Sequence, residues 1–135
     1  MIRIVVADDH EIVRTGLSST ISQHENWVVC GEASNGAEAV SKVLELKPDI
    51  VILDITMPVM SGLEAAIKIR QLAPSTRIVM LSMHDAVLMA NILALAAPDA
   101  YLSKTAARHD LIATLTAVIS RHVSNSVATP VTSSP

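Results

Sequence analysis

The chain has 135 residues, a formal charge of −3 and half of its residues apolar, which is the size and composition of one ordinary domain with a real core. That charge offers no basic field for nucleic acid, and the single cysteine, Cys30, excludes an internal disulfide. No apolar run reaches the roughly 18 residues of a membrane span, and the opening apolar run is broken by Asp8, Asp9 and Glu11, so no secretory signal is expected. A cytoplasmic protein without membrane contact is the expectation.

Short β-branched runs alternate with helical patterns. Residues 2–7, "IRIVVA", predict a first strand, and the helical stripe of Ile12, Val13, Leu17 and Ile21 predicts a helix over Glu11–His24. A second strand is expected at 27–31, "WVVCG", with Cys30 as a small buried hydrophobe and Trp27 as packing. Ala39, Val40, Val43 and Leu44 then predict a helix over Gly36–Leu46. Residues 49–54, "DIVILD", and 77–82, "RIVMLS", are apolar without alternation, the pattern of parallel strands covered on both faces. A helix over Gly62–Leu72 lies between them. Asp85–Ala97 is helical by composition, "AYLS" at 100–103 reads as a short fifth strand, and Leu111, Ile112, Leu115, Val118 and Ile119 predict a last helix over Arg108–Arg121. The Ser, Thr and Pro of 124–135 have little to bury, so 122–135 is expected to be a flexible linker or tail outside a domain spanning 1–121.

Five βα units in a row predict an open α/β fold, a parallel sheet with helices on both faces. Ligands of such sheets sit beyond the carboxyl ends of the strands. Asp8 and Asp9 follow the first strand, Asp54 the third, Ser82 ends the fourth and Lys104 follows the fifth. Two carboxylates ~4 Å apart repel by about 4 kcal/mol at an effective dielectric of 20, so a pair such as Asp8–Asp9 calls for water or a cation. Asp9, Asp54 and a backbone carbonyl offer the hard oxygen ligands that suit Mg²⁺. Asp54, in a loop shaped by Pro58 and Gly62, is expected to stand open to solvent as a nucleophile toward phosphorus. Lys104 and Ser82 would hold phosphate oxygens.

"ADDH" (7–10), "LDITMPVMSG" (53–62), "LSMHD" (81–85) and "YLSK" (101–104) stand in the order and spacing of a response regulator receiver domain, which the chain resembles from residue 1 to about 121. "DDHEIVRTGL" and "VCGEASNGAEAV" resemble the NarL/FixJ subfamily, whose members usually carry a C-terminal LuxR-type helix-turn-helix. The resemblance implies a flavodoxin-like three-layer (βα)5 sandwich with strand order 2-1-3-4-5. It implies that Asp54 is the phosphoacceptor, Asp9 a direct Mg²⁺ ligand, Asp8 a ligand through water, and the Thr56 carbonyl a backbone ligand. Ser82 and Tyr101 match the two residues that switch, and Lys104 matches the phosphate-binding lysine. His10 and His84 match polar rim residues rather than ligands. The implied partner is a sensor histidine kinase, with DNA reached only through a C-terminal domain outside these residues. Such a domain is a switch rather than an enzyme.

Two stretches depart from the family pattern. "APDAY" (97–101) has alanine at 97 and 100 where relatives typically carry glycine. Alanine resists the positive φ usual at a helix C-terminus, so this turn is expected to differ or to carry strain. "AVLMANILALAA" (86–97) has Asn91 as its only polar residue, which predicts a covered helix and a homodimer through that face. The alternative reading is a phosphorylation-independent dimerisation module of the same fold. A dehalogenase-like phosphatase wants Asp-x-Asp after its first strand, which Asp8-Asp9-His10 does not supply. A dinucleotide-binding enzyme wants a Gly-rich turn that is missing.

Overall fold

A computed structural model describes the backbone of residues 1–83, 94 and 96–132, and their side chains except at 108 and 122–132. Five parallel strands form one sheet: β1 (Ile2–Ala7), β2 (Trp27–Ala33), β3 (Ile50–Asp54), β4 (Arg77–Ser82) and β5 (Ala100–Ser103). Their order is β2-β1-β3-β4-β5, as expected. The helices are α1 (Glu11–Ser22), α2 (Gly36–Leu46), α3 (Gly62–Leu72) and a C-terminal helix, Ala107–Thr132.

The apolar runs explain the layers. Successive strand residues point to opposite faces, so both faces of an unbroken apolar strand need cover. Val5, Val51, Leu53, Ile78 and Met80 pack with Ala39 and Val43 of α2 and with Ala65, Ala66 and Ile69 of α3. Ile4, Val6, Ile52, Val79 and Leu81 pack on the other side with Leu17 and Ile21 of α1 and with Leu111, Leu115 and Val118 of the C-terminal helix. Caps set two helix starts: the Asn35 side chain accepts from the Glu38 N–H at 2.8 Å, and Ser61 Oγ accepts from the Glu64 N–H at 3.1 Å.

Several boundaries move. β2 runs on to Ala33, two residues past the expected end, because β1 pairs it along its whole length. The register skips Cys30, with Ile4 opposite Val29 and Val5 opposite Gly31. Cys30 therefore sits at a bulge, half-buried against the core. α1 stops at Ser22 rather than His24, whose ring stacks on Trp27 at 3.9 Å between centroids. The C-terminal helix continues through Thr132, where composition favours a flexible tail. Once Leu111, Leu115 and Val118 have packed its first turns, further turns add hydrogen bonds without the cost of nucleation. The helix expected at 85–97, the apolar face proposed on it and His84 lie outside the described residues, apart from Ala94, Ala96 and Ala97. Among the described residues no helix is long and apolar enough to cross a membrane.

Two turns carry strained non-glycine residues. Ala97 has φ 46°, which confirms the strain expected of "APDAY". Val59 has φ 67° and sits at the centre of a three-residue turn closed by the Met60 N–H on the Pro58 carbonyl at 2.7 Å. A β-branched residue in that region costs on the order of 1–3 kcal/mol. Val59 is also exposed, so its side chain repays little through packing. Val59→Gly is expected to raise stability by about 1 kcal/mol in urea unfolding; a lower unfolding midpoint would show that the valine is not strained.

Candidate functional site

The sheet register brings the expected residues to one rim. Ala7 pairs with Leu53, Asp54 with Leu81, and Ser82 with Ser103. The residues at or just past those ends are Asp8, Asp54, Ser82 and Lys104. The Lys104 N–H donates to the Ser82 carbonyl at 2.8 Å, which carries the end of β5 over the site.

Lys104 Nζ lies 2.9 Å from Asp8 Oδ2 and 3.0 Å from Asp54 Oδ2. It is the counter-ion of two carboxylates at once. His10 closes the other side, with its N–H donating to Asp8 Oδ1 at 2.9 Å and Nδ1 lying 3.2 Å from Asp9 Oδ1. One ligand atom from each of Asp8, Asp9, His10 and Asp54 lies within 4.8 Å of the others. The acids expected to hold a cation do converge, and His10, read from the sequence as a rim residue, stands among them.

The two members of the opening pair differ. Asp8 is fully buried, whereas Asp9 is exposed at the mouth. Arg14 anchors the Asp8 backbone: its guanidinium donates to the Asp8 carbonyl at 2.8 Å and to Glu32 Oε1 at 3.1 Å. Sequence reasoning gave Arg14 no role. Its only signal is a cation one helical turn past His10, close in the chain to two acids.

Asp54 is not open to solvent as expected. It is 3% exposed, because Lys104 covers one oxygen and the Thr56 N–H reaches the other at 3.4 Å. The way in is a cleft of about 270 Å³ lined by Asp9, His10, Asp54, Thr56, Met83 and Lys104. Ser82 is buried at the end of β4, and Tyr101 packs half-buried against the core. The Asp54 loop is held by close backbone contacts. The Gly62 N–H donates to the Ile55 carbonyl at 2.8 Å, and a Cβ on Gly62 would overlap the Asp54 carbonyl.

Burial raises the Asp54 carboxyl above its ordinary range, and the charge of Asp8 adds to this; Lys104 and the Thr56 N–H only partly offset it. Burial alone would lower Lys104, but its hydrogen bonds and charge pairs with Asp8 and Asp54 outweigh that, and its ammonium is held above the ordinary lysine value. The rim is thus an acid–base cluster in which the buried Asp54 carboxylate carries its charge at a cost.

A five-stranded sheet with three acids, a hydroxyl and a lysine at its carboxyl end defines a class, and the comparisons agree with it. Residues 4–116 match the response regulator receiver domain family, and the chain belongs to that family. It is 46% identical over 84 residues to the oxygen regulatory protein NreC of Staphylococcus haemolyticus, covering 62% of this chain and 39% of that protein. It is 32% identical over 130 residues to the response regulator GacA of Pseudomonas viridiflava, covering 95% of this chain and 61% of that protein. The chain thus spans about two fifths to three fifths of the length of these curated relatives. A LuxR-family response regulator from Aurantimonas sp. SI85-9A1 superposes with a TM-score of 0.82 at 33% identity, covering 87% of this chain and 84% of that one. The signal receiver domain of NarL from Mycobacterium tuberculosis gives 0.79 at 30% identity, covering 87% and 95%. The LuxR family named for the Aurantimonas protein is the type of response regulator that the sequence resembles.

Proposed function

We propose that this receiver domain takes a phosphoryl group on Asp54 from a sensor histidine kinase in a Mg²⁺-dependent reaction, and that the modified domain controls a transcription-regulating output domain. The observation that carries the reading is Lys104 held between Asp8 and Asp54 at the head of a cleft that also receives Asp9.

The residues fit a hard divalent cation. Asp8, Asp9 and Asp54 supply carboxylate oxygens to one small volume, and the fully buried Asp8 needs a positive partner wherever Lys104 goes. Asp9 is assigned as the direct ligand, Asp8 as a ligand through water, and the Thr56 carbonyl as the backbone ligand. Bound Mg²⁺ supplies charge neutralisation for the acids and for the incoming phosphoryl oxygens.

The protein's own part is positioning. Asp54 presents a carboxylate oxygen to phosphorus; a new oxygen–phosphorus bond forms as the donor's bond to phosphorus breaks and the donor leaves with that electron pair. Lys104 leaves its carboxylate partners to pair with a phosphoryl oxygen. The phosphoryl group carries roughly −1.5 to −2, taking phosphomonoesters as the guide, and replaces the single carboxylate charge of Asp54, so the net gain is about one negative charge. Ser82 then moves toward the phosphoryl group and Tyr101 turns inward, shifting a two-state equilibrium at the helix expected over Asp85–Ala97, β5 and the C-terminal helix. On this reading the domain is a cytoplasmic switch and not an enzyme. It pairs with a second copy through the apolar 86–97 region, and DNA is reached only through a C-terminal domain.

The strained Ala97 favours a second reading, a phosphorylation-independent dimerisation module, but that reading gives no account of the acid–lysine rim. A titration with beryllofluoride and Mg²⁺ separates the two. The expected result is saturable thermal stabilisation of wild type, about 2.7 kcal/mol at a hundredfold excess over Kd, and none for Asp54→Asn. Equal behaviour of the two proteins would defeat the switch reading.

A further inference from the structure

The turn before β5 is held from three directions. Asp99 Oδ2 accepts from the Ile78 N–H at 2.7 Å and from the Arg70 guanidinium at 3.1 Å. Its other oxygen lies 3.5 Å from Arg77. Arg70 also donates to the Ala97 carbonyl at 2.7 Å, and Arg121 of the C-terminal helix donates to the Asp99 carbonyl at 2.7 Å. One short turn therefore touches the last helical turn of α3, the first residues of β4 and the C-terminal helix. It does so at the residue that follows a strained alanine at φ 46° and a proline.

Nothing in alanine favours that conformation, so something outside it must hold the turn. The contacts on 97–99 are the groups placed to do so. The Ile78 N–H stands at the first turns of the β4–β5 ladder, which begins at Val79 and Ala100, and Asp99 supplies its acceptor. Charge-assisted bonds of this kind are stronger than neutral ones and fix geometry as well.

We propose that Asp99 is a positioning latch. It holds Ala97 in its strained conformation and ties the C-terminal helix, through Arg121, to the start of β5. The latch stabilises the arrangement described here, so the two-state change that phosphorylation drives works against it. This last clause rests on the receiver reading above; the latch itself does not.

The test is a double-mutant cycle in urea, with amide exchange as the second readout. Asp99→Asn keeps an acceptor for the Ile78 N–H and removes the charge. It is expected to lower the unfolding midpoint and to speed exchange at Ile78 tenfold or more. Ala97→Gly removes the strain and is expected to raise the midpoint. In wild type, loss of the latch lets the turn relax and shed its strain, which offsets part of the cost; in the Ala97→Gly background no strain is left to shed, so Asp99→Asn is expected to cost clearly more there. Additive effects, or unchanged exchange at Ile78, would overturn the latch.

Arg121→Ala, at an exposed position outside the rim, tests the link to the switch. It is expected to speed exchange in the C-terminal helix but not in α2, and to tighten apparent beryllofluoride binding threefold or more. Unchanged affinity with wild type binding normally would overturn that link. If wild type binds no beryllofluoride, the phosphorylation-switch reading fails, while the cycle still decides whether Asp99 holds the turn.

Discussion

Asp54→Asn is expected to abolish phosphoryl uptake and, in the same protein, to raise stability. Without metal at neutral pH, the gain is on the order of 1 kcal/mol, roughly 3–5 °C in Tm for a domain of this size. The cause is the environment of Asp54. It is 3% exposed and faces Asp8 across one lysine, so its negative charge is disfavoured in the fold. Asparagine keeps the shape and removes the charge, and Lys104 retains Asp8.

The pH dependence follows from the sign of the shift. A carboxyl raised in the folded state binds its proton to higher pH than in the unfolded chain. Its contribution to stability is therefore largest in acid and is lost as pH rises from the ordinary carboxylate value through the raised one. The gap between Asp54→Asn and wild type should accordingly open with rising pH above about 4 and close below it. Urea unfolding in a chelator across that range measures it. A gap that does not vary with pH, or a mutant less stable than wild type at neutral pH, would contradict the burial argument.

Gly62→Ala has the largest expected effect on stability. A Cβ at Gly62 would overlap the carbonyl oxygen and carbon of Asp54, which are backbone atoms that cannot rotate away. The helix α3 would have to move off the loop, losing the Gly62–Ile55 hydrogen bond and the Ser61 cap that follow from the close approach. The expected cost is about 3 kcal/mol or more, with weakened Mg²⁺ binding even where the protein still folds. Gly16→Ala is the internal control. Nothing lies within 4 Å of a Cβ there, and the position is in an exposed helix. That change is expected to stabilise by about 1 kcal/mol. Similar effects at both glycines would show that close approach to Asp54 is not what Gly62 provides.

How much of this was legible in the sequence divides along physical lines. Parallel strands buried on both faces leave unbroken apolar runs, so "DIVIL" and "RIVML" announced themselves, and the residues ending them had to meet at one rim. Asp8, Asp54, Ser82 and Lys104 do meet there. The enclosure of Asp54 was not legible, because it depends on where Lys104 lies fifty residues away. The bulge at Cys30 was hidden for a related reason: it is a property of the pairing of β2 with β1 and not of either strand.

"APDAY" was legible in part. The loss of glycine foretold strain at Ala97, and φ 46° bears that out. What holds the strained turn was not foreseeable, since Arg70, Arg77 and Arg121 come from three separate elements with no common period. Val59 gave no warning at all. Its positive φ belongs to a loop whose glycine, Gly62, serves close approach instead.

The most direct test of the central claim is to incubate the protein with acetyl phosphate and Mg²⁺, and then to weigh the intact chain and locate the modification by peptide mapping. One added phosphoryl group, lost in chelator, located on Asp54 and missing from Asp54→Asn is the predicted result. An unmodified wild type, or a phosphoryl group that persists in Asp54→Asn, would contradict it.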